Sequence, residues 1–263
     1  MKQEPTFKFD LEESFPHLPA APIVEAVIHW VARRENPIPQ AEWRNQLIEL
    51  LPDYPECQPQ HELRLEAEIT ADGSSTEVRR EIWRGFRLTS SDKLQIVQFN
   101  RDGMVFSRLK PYEDWNAFST EGLRLWKLFV QLAEPSEVQR LGVRFINRIA
   151  PIDPAKLGKY LAKPPKCLEP LGLPMTTFLY QSVHDVPGHP FKVNVVQTIQ
   201  PPSPPQAEGF GLILDIDAFT TQAFQPSDEI LKAHLTKMRW LKDKAFFSLL
   251  KKNAIKMFVE NKE

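Results

Sequence analysis

The chain has 263 residues, with 33 Lys/Arg against 34 Asp/Glu and a formal net charge of −1. Hydrophobic residues at 42% and charged residues at 25% describe a soluble globular protein and exclude a disordered one. Near-neutral charge argues against a general nucleic-acid binder, which carries a basic footprint.

Proline is the outlier, with 24 residues against 10 glycines; about 9% proline compares with an average near 5%. Connections are therefore expected to be set by proline, with few left-handed backbone positions. No apolar run approaches the ~18 residues of a membrane span. The mixed, acidic residues 1–15 lack the basic patch and apolar stretch of a secretory leader. A cytoplasmic location is the expectation. Cys57 and Cys167 lie in proline-rich connectors with no CxxC pair or Cys/His cluster, so no metal is expected, and reduced thiols are favoured over a disulfide between them.

Residues 1–21 are polar and proline-punctuated and read as an extended arm. After Pro22, residues 23–31 read as a strand that Pro37 and Pro39 stop. Apolar positions 43, 47, 50 and 51 fit a short amphipathic helix ended by Pro52. In 61–69, Leu63, Leu65, Ala67 and Ile69 alternate with Arg64, Glu66 and Glu68, which predicts an inward apolar face and an outward charged one. Strands at 80–88, 94–100 and 104–109 follow, the last two joined by Asn100-Arg101-Asp102-Gly103, whose turn chemistry suits a tight hairpin. Consecutive antiparallel strands argue for a meander.

A helix over about 113–133 is apolar nearly all round and must be covered on most faces, by sheet or by a second subunit; Pro135 ends it. Residues 138–149 alternate longest of all: Leu141, Val143, Phe145 and Ile149 share one face with Asn147, and Arg140, Gly142, Arg144, Ile146 and Arg148 share the other. A short helix at 154–162, strands at about 175–185, 191–199 and 210–216, and a helix starting at Ser227-Asp228-Glu229 and reaching toward Phe258 complete the chain. Both halves thus read strand, short helix, several strands, long helix. The expected fold is α+β: curved antiparallel sheet gripping two long helices, with a first half over 22–135 and a second over 136–263 packed as one globular unit, and a duplicated unit as the underlying plan.

Three segments resemble a known family. They are Pro22-Ile23-Val24-Glu25-Ala26-Val27, then residues 141–149 (Leu-Gly-Val-Arg-Phe-Ile-Asn-Arg-Ile), and the C-terminal Ala245-Phe246-Phe247-Ser248. In order and spacing they are similar to a sporadically distributed family of uncharacterised bacterial and archaeal proteins of about this length. Its members read P-P-I-V-E near the N-terminus, L-R-Y-I-N-R-I centrally and F-x-S on a late helix. The match runs over roughly 20–255, and departs from the pattern at Ala21, in place of the first proline, and at Phe145, in place of the tyrosine. The second departure removes a hydroxyl that would donate a hydrogen bond. The patchy occurrence of the family resembles that of genes on mobile or defence-related islands, which implies a partner-binding role and assigns no residue a function.

Among candidate sites, Arg140, Arg144 and Arg148 recur every fourth residue on one strand face, ~13 Å apart by strand rise. That spacing suits an acidic partner surface or a phosphate backbone, with Arg84 and Arg87 adding to the patch if their strand lies alongside. The alternative is a solvated face balanced by Glu62, Glu66 and Glu68. Asn147, alone on an apolar face, either pins backbone or lines a pocket. Glu25 with His29, and His184 with Asp185 and His189, are too sparse for acid–base or metal chemistry; Asp215 and Asp217 read as a solvated strand end, because no phosphate-binding loop accompanies them. His234 falls on the apolar stripe of the last helix. From Ser227 onward nine Lys/Arg stand against five Asp/Glu, and Trp240, Phe246 and Phe247 on that basic helix suggest an interaction surface, with an amphipathic packing helix as the alternative.

The function these features favour is a non-enzymatic macromolecule-binding or adaptor protein, with an unidentified protein partner or a homodimer and no cofactor. The second reading is a small-ligand-binding protein or hydrolase with its site between sheet and helix. A cavity there with Asn147, Arg144 or Glu25 converging on it raises that reading, and a solid interior sinks it. Nucleic-acid binding through the arginine strand is third.

Overall fold

In the computed structural model, residues 6–35, 39–69, 75–166, 172–173, 175–202 and 209–259 are described. Pro22 frees Ile23–Arg33 to run as β1, with Ala26, Ile28, Trp30 and Ala32 turned to the core. Helix α1 (Gln40–Leu50) buries Trp43 and Leu47 and leaves Leu50 exposed. The meander is β2 (Glu56–Ile69), β3 (Ser75–Thr89), β4 (Gln95–Asn100) and β5 (Gly103–Leu109). Helix α2 (Trp115–Ala133) is capped by Asp114, whose carboxylate accepts from the Ala117 N–H at 2.9 Å, and stops at left-handed Glu134 ahead of Pro135.

The second half repeats the order. Strand β6 (Glu137–Ile152) is followed by a 3₁₀ turn over Pro154–Lys159, then β7 (Leu179–Asp185), β8 (Phe191–Gln200), β9 (Phe210–Thr220) and helix α3 (Asp228–Leu249), capped by Ser227. The described strands form one nine-stranded sheet in the order β2-β3-β4-β5-β1-β6-β9-β8-β7, antiparallel throughout. In each half the last strand of the meander returns to pair with the first, β5 with β1 and β9 with β6, and the two first strands pair at the centre. Helix α2 lies on β5 and α3 on β6, β8 and β9. Buried residues of both halves form one core, in which Trp30 stacks on Trp126 at 5.3 Å between ring centroids. None of the described helices is long and apolar enough to cross a membrane.

Several sequence expectations are corrected. Leu63 is not inward: it is 62% exposed, because β2 is an edge strand and its hairpin with β3 extends past the end of β4, beyond the helix layer. Cys57 and Pro59 belong to β2 rather than to a connector; an edge strand tolerates the missing N–H. Cys57 is a free thiol, and Cys167 lies outside the described residues. The last helix does not run unbroken to Phe258. It ends at Leu249, where Leu250 turns extended to bridge Leu161 and bury its side chain, and short α4 (Lys252–Lys256) follows. The strand expected from 175 begins only at Leu179.

The 100–103 turn sets a tight constraint. Gly103 has φ +145°, and a Cβ there would stand 2.0 Å from the Trp30 carbonyl oxygen, inside the β1–β5 ladder. Gly103→Ala is expected to destabilise the fold by at least ~2 kcal/mol, read as a lowered midpoint in urea unfolding. A loss under ~0.5 kcal/mol contradicts this account of the turn.

Candidate functional site

The two faces of the sheet centre carry different chemistry. On the face away from the helices, Arg144 holds Asp215 with two bonds, from Nε at 2.8 Å and Nη2 at 2.5 Å. Arg140 donates to Asp217 at 2.7 Å and lies 3.0 Å from His29 Nδ1. The carboxylates come from β9, paired in register beside β6 (Arg144 opposite Asp217, Ile146 opposite Asp215). Asp215 is therefore not a solvated strand end but a buried partner, 7% exposed. The bond to Asp215 holds the Arg144 guanidinium above its ordinary range. Arg148 contacts the side-chain oxygen of Gln200 and the Gly209 carbonyl.

Arg84 and Arg87 do not join this row: β4, β5 and β1 separate their strand from β6. Arg84 pairs with Asp102 and Glu62, and Arg87 donates to Thr89. Arg140 and Arg144 are thus ion-paired across the sheet rather than members of a free cationic stripe, and Arg148 is held by neutral oxygens.

The helix-facing side holds a cavity of about 520 Å³. Its floor is Phe145 and Asn147 of β6 with Ile216 of β9; one wall is the entry to α2 with Tyr112 and Trp115; the other is α3 from Thr236 to Phe247; residues 11–18 of the arm cover it. Asn147 is 2% exposed, and its amide donates to the Leu214 carbonyl at 2.9 Å and to that of Phe145 at 3.3 Å. It pins backbone and lines the cavity at once. Arg144 and Glu25 do not converge there, since both point to the opposite face, as the alternation requires.

The proposed interaction surface on the last helix is also corrected. Trp240 and Phe246 are buried, and Phe247 stacks on Phe15 at 5.4 Å. The arm is what covers them. Phe7 and Phe9 pack edge-on to Trp240, the Phe7 N–H donates to the Pro187 carbonyl at 2.8 Å, and Lys244 pairs with Glu13 at 2.6 Å. His189 bonds the Phe7 carbonyl, and His234 bonds that of Ile230 between the rings of Phe191 and Phe224, so both are structural.

Lys242 and Tyr112 are among the cavity residues that escaped the sequence reading. Lys242 is 12% exposed, with Nζ 2.5 Å from Asp243 and 3.8 Å from the centre of the Phe145 ring. Burial pushes its ammonium below the ordinary lysine range against the pull of Asp243. The signal was present: Leu231, Leu235, Met238, Lys242 and Phe246 follow one helical stripe, and a charge on an apolar stripe marks a special site as Asn147 does on its strand. Tyr112 has a buried hydroxyl without a hydrogen-bond partner, and burial raises its pKa above the ordinary tyrosine range. Among the described residues no group of three or more His, Cys, Asp or Glu is placed to hold a metal.

No family model, curated protein or solved structure matches the chain. Geometry therefore carries the functional argument.

His29 supplies a pH test of the ion-pair face. Burial first, and Arg140 second, push its pKa from 6.5 down to about 4, with Asp102 opposing. The unfolded histidine takes up a proton near pH 6.5 and the folded one only near 4, so stability present above pH 6.5 falls as the pH drops toward 4. His29→Gln keeps an acceptor for Arg140 and is expected to flatten the fall between pH 6.5 and about 5, read as urea midpoints. Identical slopes in the two proteins contradict the buried neutral imidazole.

Proposed function

We propose that the chain is a small-ligand-binding protein whose site is the cavity between the sheet centre, α3 and the N-terminal arm. The cavity itself carries the reading. At about 520 Å³ it falls within the ~300–1,000 Å³ typical of small-molecule sites. Its lining mixes aromatic side chains, among them Phe145, Trp115, Trp240 and Phe247, with nearly as many polar and charged groups as apolar ones, and such sites use the first for shape and the second for orientation. Three of the lining residues, Tyr112, Trp240 and Glu13, also carry a buried polar atom without a hydrogen-bond partner. Among the described residues of the lining no hydrogen-bonded nucleophile–base pair is found, the Ser182–His184 contact lying on β7 outside the cavity, which favours binding over hydrolysis.

A second reading, a macromolecule-binding adaptor, rests on β7. This edge strand leaves Leu179, Tyr180 and Val183 exposed, and an apolar edge is a template for pairing with another chain. Under that reading the expectations are a cytoplasmic setting, a protein partner or second copy, and a place in a mobile or defence-associated module. Nucleic-acid binding through the arginine strand has less support, since Arg140 and Arg144 are committed to Asp217 and Asp215.

A fragment screen read by the fluorescence of Trp115 and Trp240 tests the first reading. Saturable binders are expected. Thr236→Trp, at an exposed α3 position on the cavity wall, should weaken them more than ~10-fold while leaving the melting temperature within about 3 °C. Absence of any saturable fragment, or binding unaffected by Thr236→Trp, overturns it.

A further inference from the structure

The way the arm is held bears on how a ligand reaches the cavity, an inference that rests on the small-ligand reading above. We infer that residues 8–19 are a releasable strap, clasped through Phe7 and Phe9 and anchored at Ala20, whose opening admits and releases the ligand.

The backbone is the first ground. The Phe7 N–H donates to the Pro187 carbonyl at 2.8 Å and the Ala20 N–H to that of Phe258 at 3.1 Å. Between them, among the described residues, 8–19 make no backbone–backbone bond to the elements they cover, and the turns at 10–13 and 18–21 are bonded within the arm itself. Lifting the segment therefore breaks no rung of the sheet and no turn of a helix. Burial agrees. None of residues 6–21 is buried, whereas Trp240, Leu241 and Phe246 of α3 are. A segment with few backbone bonds and no buried residue opens at a lower free energy than the elements beneath it.

The side chains that do hold the arm are the second ground, and they gather in two posts. In the first, Phe7 and Phe9 meet Trp240 edge-on at 5.8 and 5.5 Å and Phe9 meets His189 at 4.8 Å. His189 Nε2 also donates to the Phe7 carbonyl at 2.9 Å. Phe7, Phe9 and His189 all lie outside the cavity lining, so the clasp is separate from the space of the ligand. In the second post Lys244 pairs with Glu13 at 2.6 Å and Phe15 stacks on Phe247. That ion pair is partly exposed, and pairs of this kind contribute little.

The space beneath is the third ground. An arm that served packing alone would fill the gap it crosses. Residues 11–18 instead cover a cavity of about 520 Å³ whose floor, Phe145, Asn147 and Ile216, belongs to the sheet. Strand pairing fixes that floor, and two backbone bonds fix the Asn147 amide. Opening the strap thus removes one wall and leaves the rest of the site assembled. A rigid floor under a loosely held cover is the arrangement by which a site exchanges its ligand without unfolding.

Two variants outside the lining test this: Phe9→Ala loosens the clasp, and Lys244→Gln loosens the second post at an exposed position. Amide hydrogen exchange without ligand is the first readout. The Phe7 amide is expected to be at least ~100-fold less protected than the amides of β1, and less protected still in Phe9→Ala. Stopped-flow binding of N-phenyl-1-naphthylamine, an uncharged dye that brightens in apolar surroundings, is the second; the tightest fragment of the screen replaces the dye where the dye does not bind. Association and dissociation rates should both rise at least ~5-fold in Phe9→Ala, the scale of a lost aromatic contact, with Kd changed less than about threefold. Lys244→Gln should move both rates the same way by a smaller factor. A Phe7 amide as protected as those of β1 overturns the strap whether or not any ligand binds. Rates untouched by both variants, or a Phe9→Ala effect confined to dissociation, make the arm a fixed wall and overturn it too. Absence of any saturable binder overturns the cavity reading, and this inference with it.

Discussion

The antiparallel ladder between β1 and β6 is the constraint on which the remaining structure depends. It is where the two halves share backbone hydrogen bonds, from Ile23 opposite Asn147 to Arg33 opposite Glu137. Strand pairing with period-two alternation ties both faces to one register: a slip by one residue would exchange the core face for the charged one. In the observed register Ala26, Ile28 and Trp30 join Leu141, Val143 and Phe145 beneath the helices, while His29 meets Arg140 on the far side. The ion pairs with β9 then lock the outer face in the same register. Their net energetic contribution is modest for partly exposed groups; their specificity follows from geometry, since Arg144 meets both oxygens of Asp215.

The same ladder places the cavity. A register irregularity between Ile23 and Glu25 ends regular pairing where the chain leaves the sheet at Pro22. The arm therefore departs over Asn147 and crosses α3, and the space between floor and arm is lined rather than filled. Three features gather there that a packed core avoids: a lysine on an apolar stripe, a tyrosine hydroxyl without a partner, and half of a carboxylate without a donor. Natural sequences tolerate such local conflicts chiefly where function needs them. The outer face carries comparable charge, but each of Arg140 and Arg144 has its carboxylate in the next strand.

Local chemistry made much of the architecture legible. Pro22 and the alternation after it gave β1, the apolar run over about 113–133 with Pro135 after it gave α2, and Asn100–Gly103 closed a hairpin. The repeated order of elements was visible too, and Asn147 stood out as an amide interrupting the apolar face of its strand. Long-range partners were not legible. Asp215 and Asp217 lie about 70 residues from the arginines they neutralise, so no local pattern separates a solvated charge from a paired one. Leu63 alternated like a buried residue, yet exposure is decided by where a hairpin lies relative to the helix layer. Trp240 and Phe247 looked like a docking surface because their cover, the arm, comes from the other end of the chain. Lys242 carried a readable signal in its place on the α3 stripe.

The most direct test is a crystal structure of the full chain with a fragment that binds it saturably. The account predicts ordered ligand density above Asn147 and Phe145 and beneath residues 11–18. A cavity filled by the protein's own side chains, or a probe seated elsewhere while this space stays dry, would contradict it.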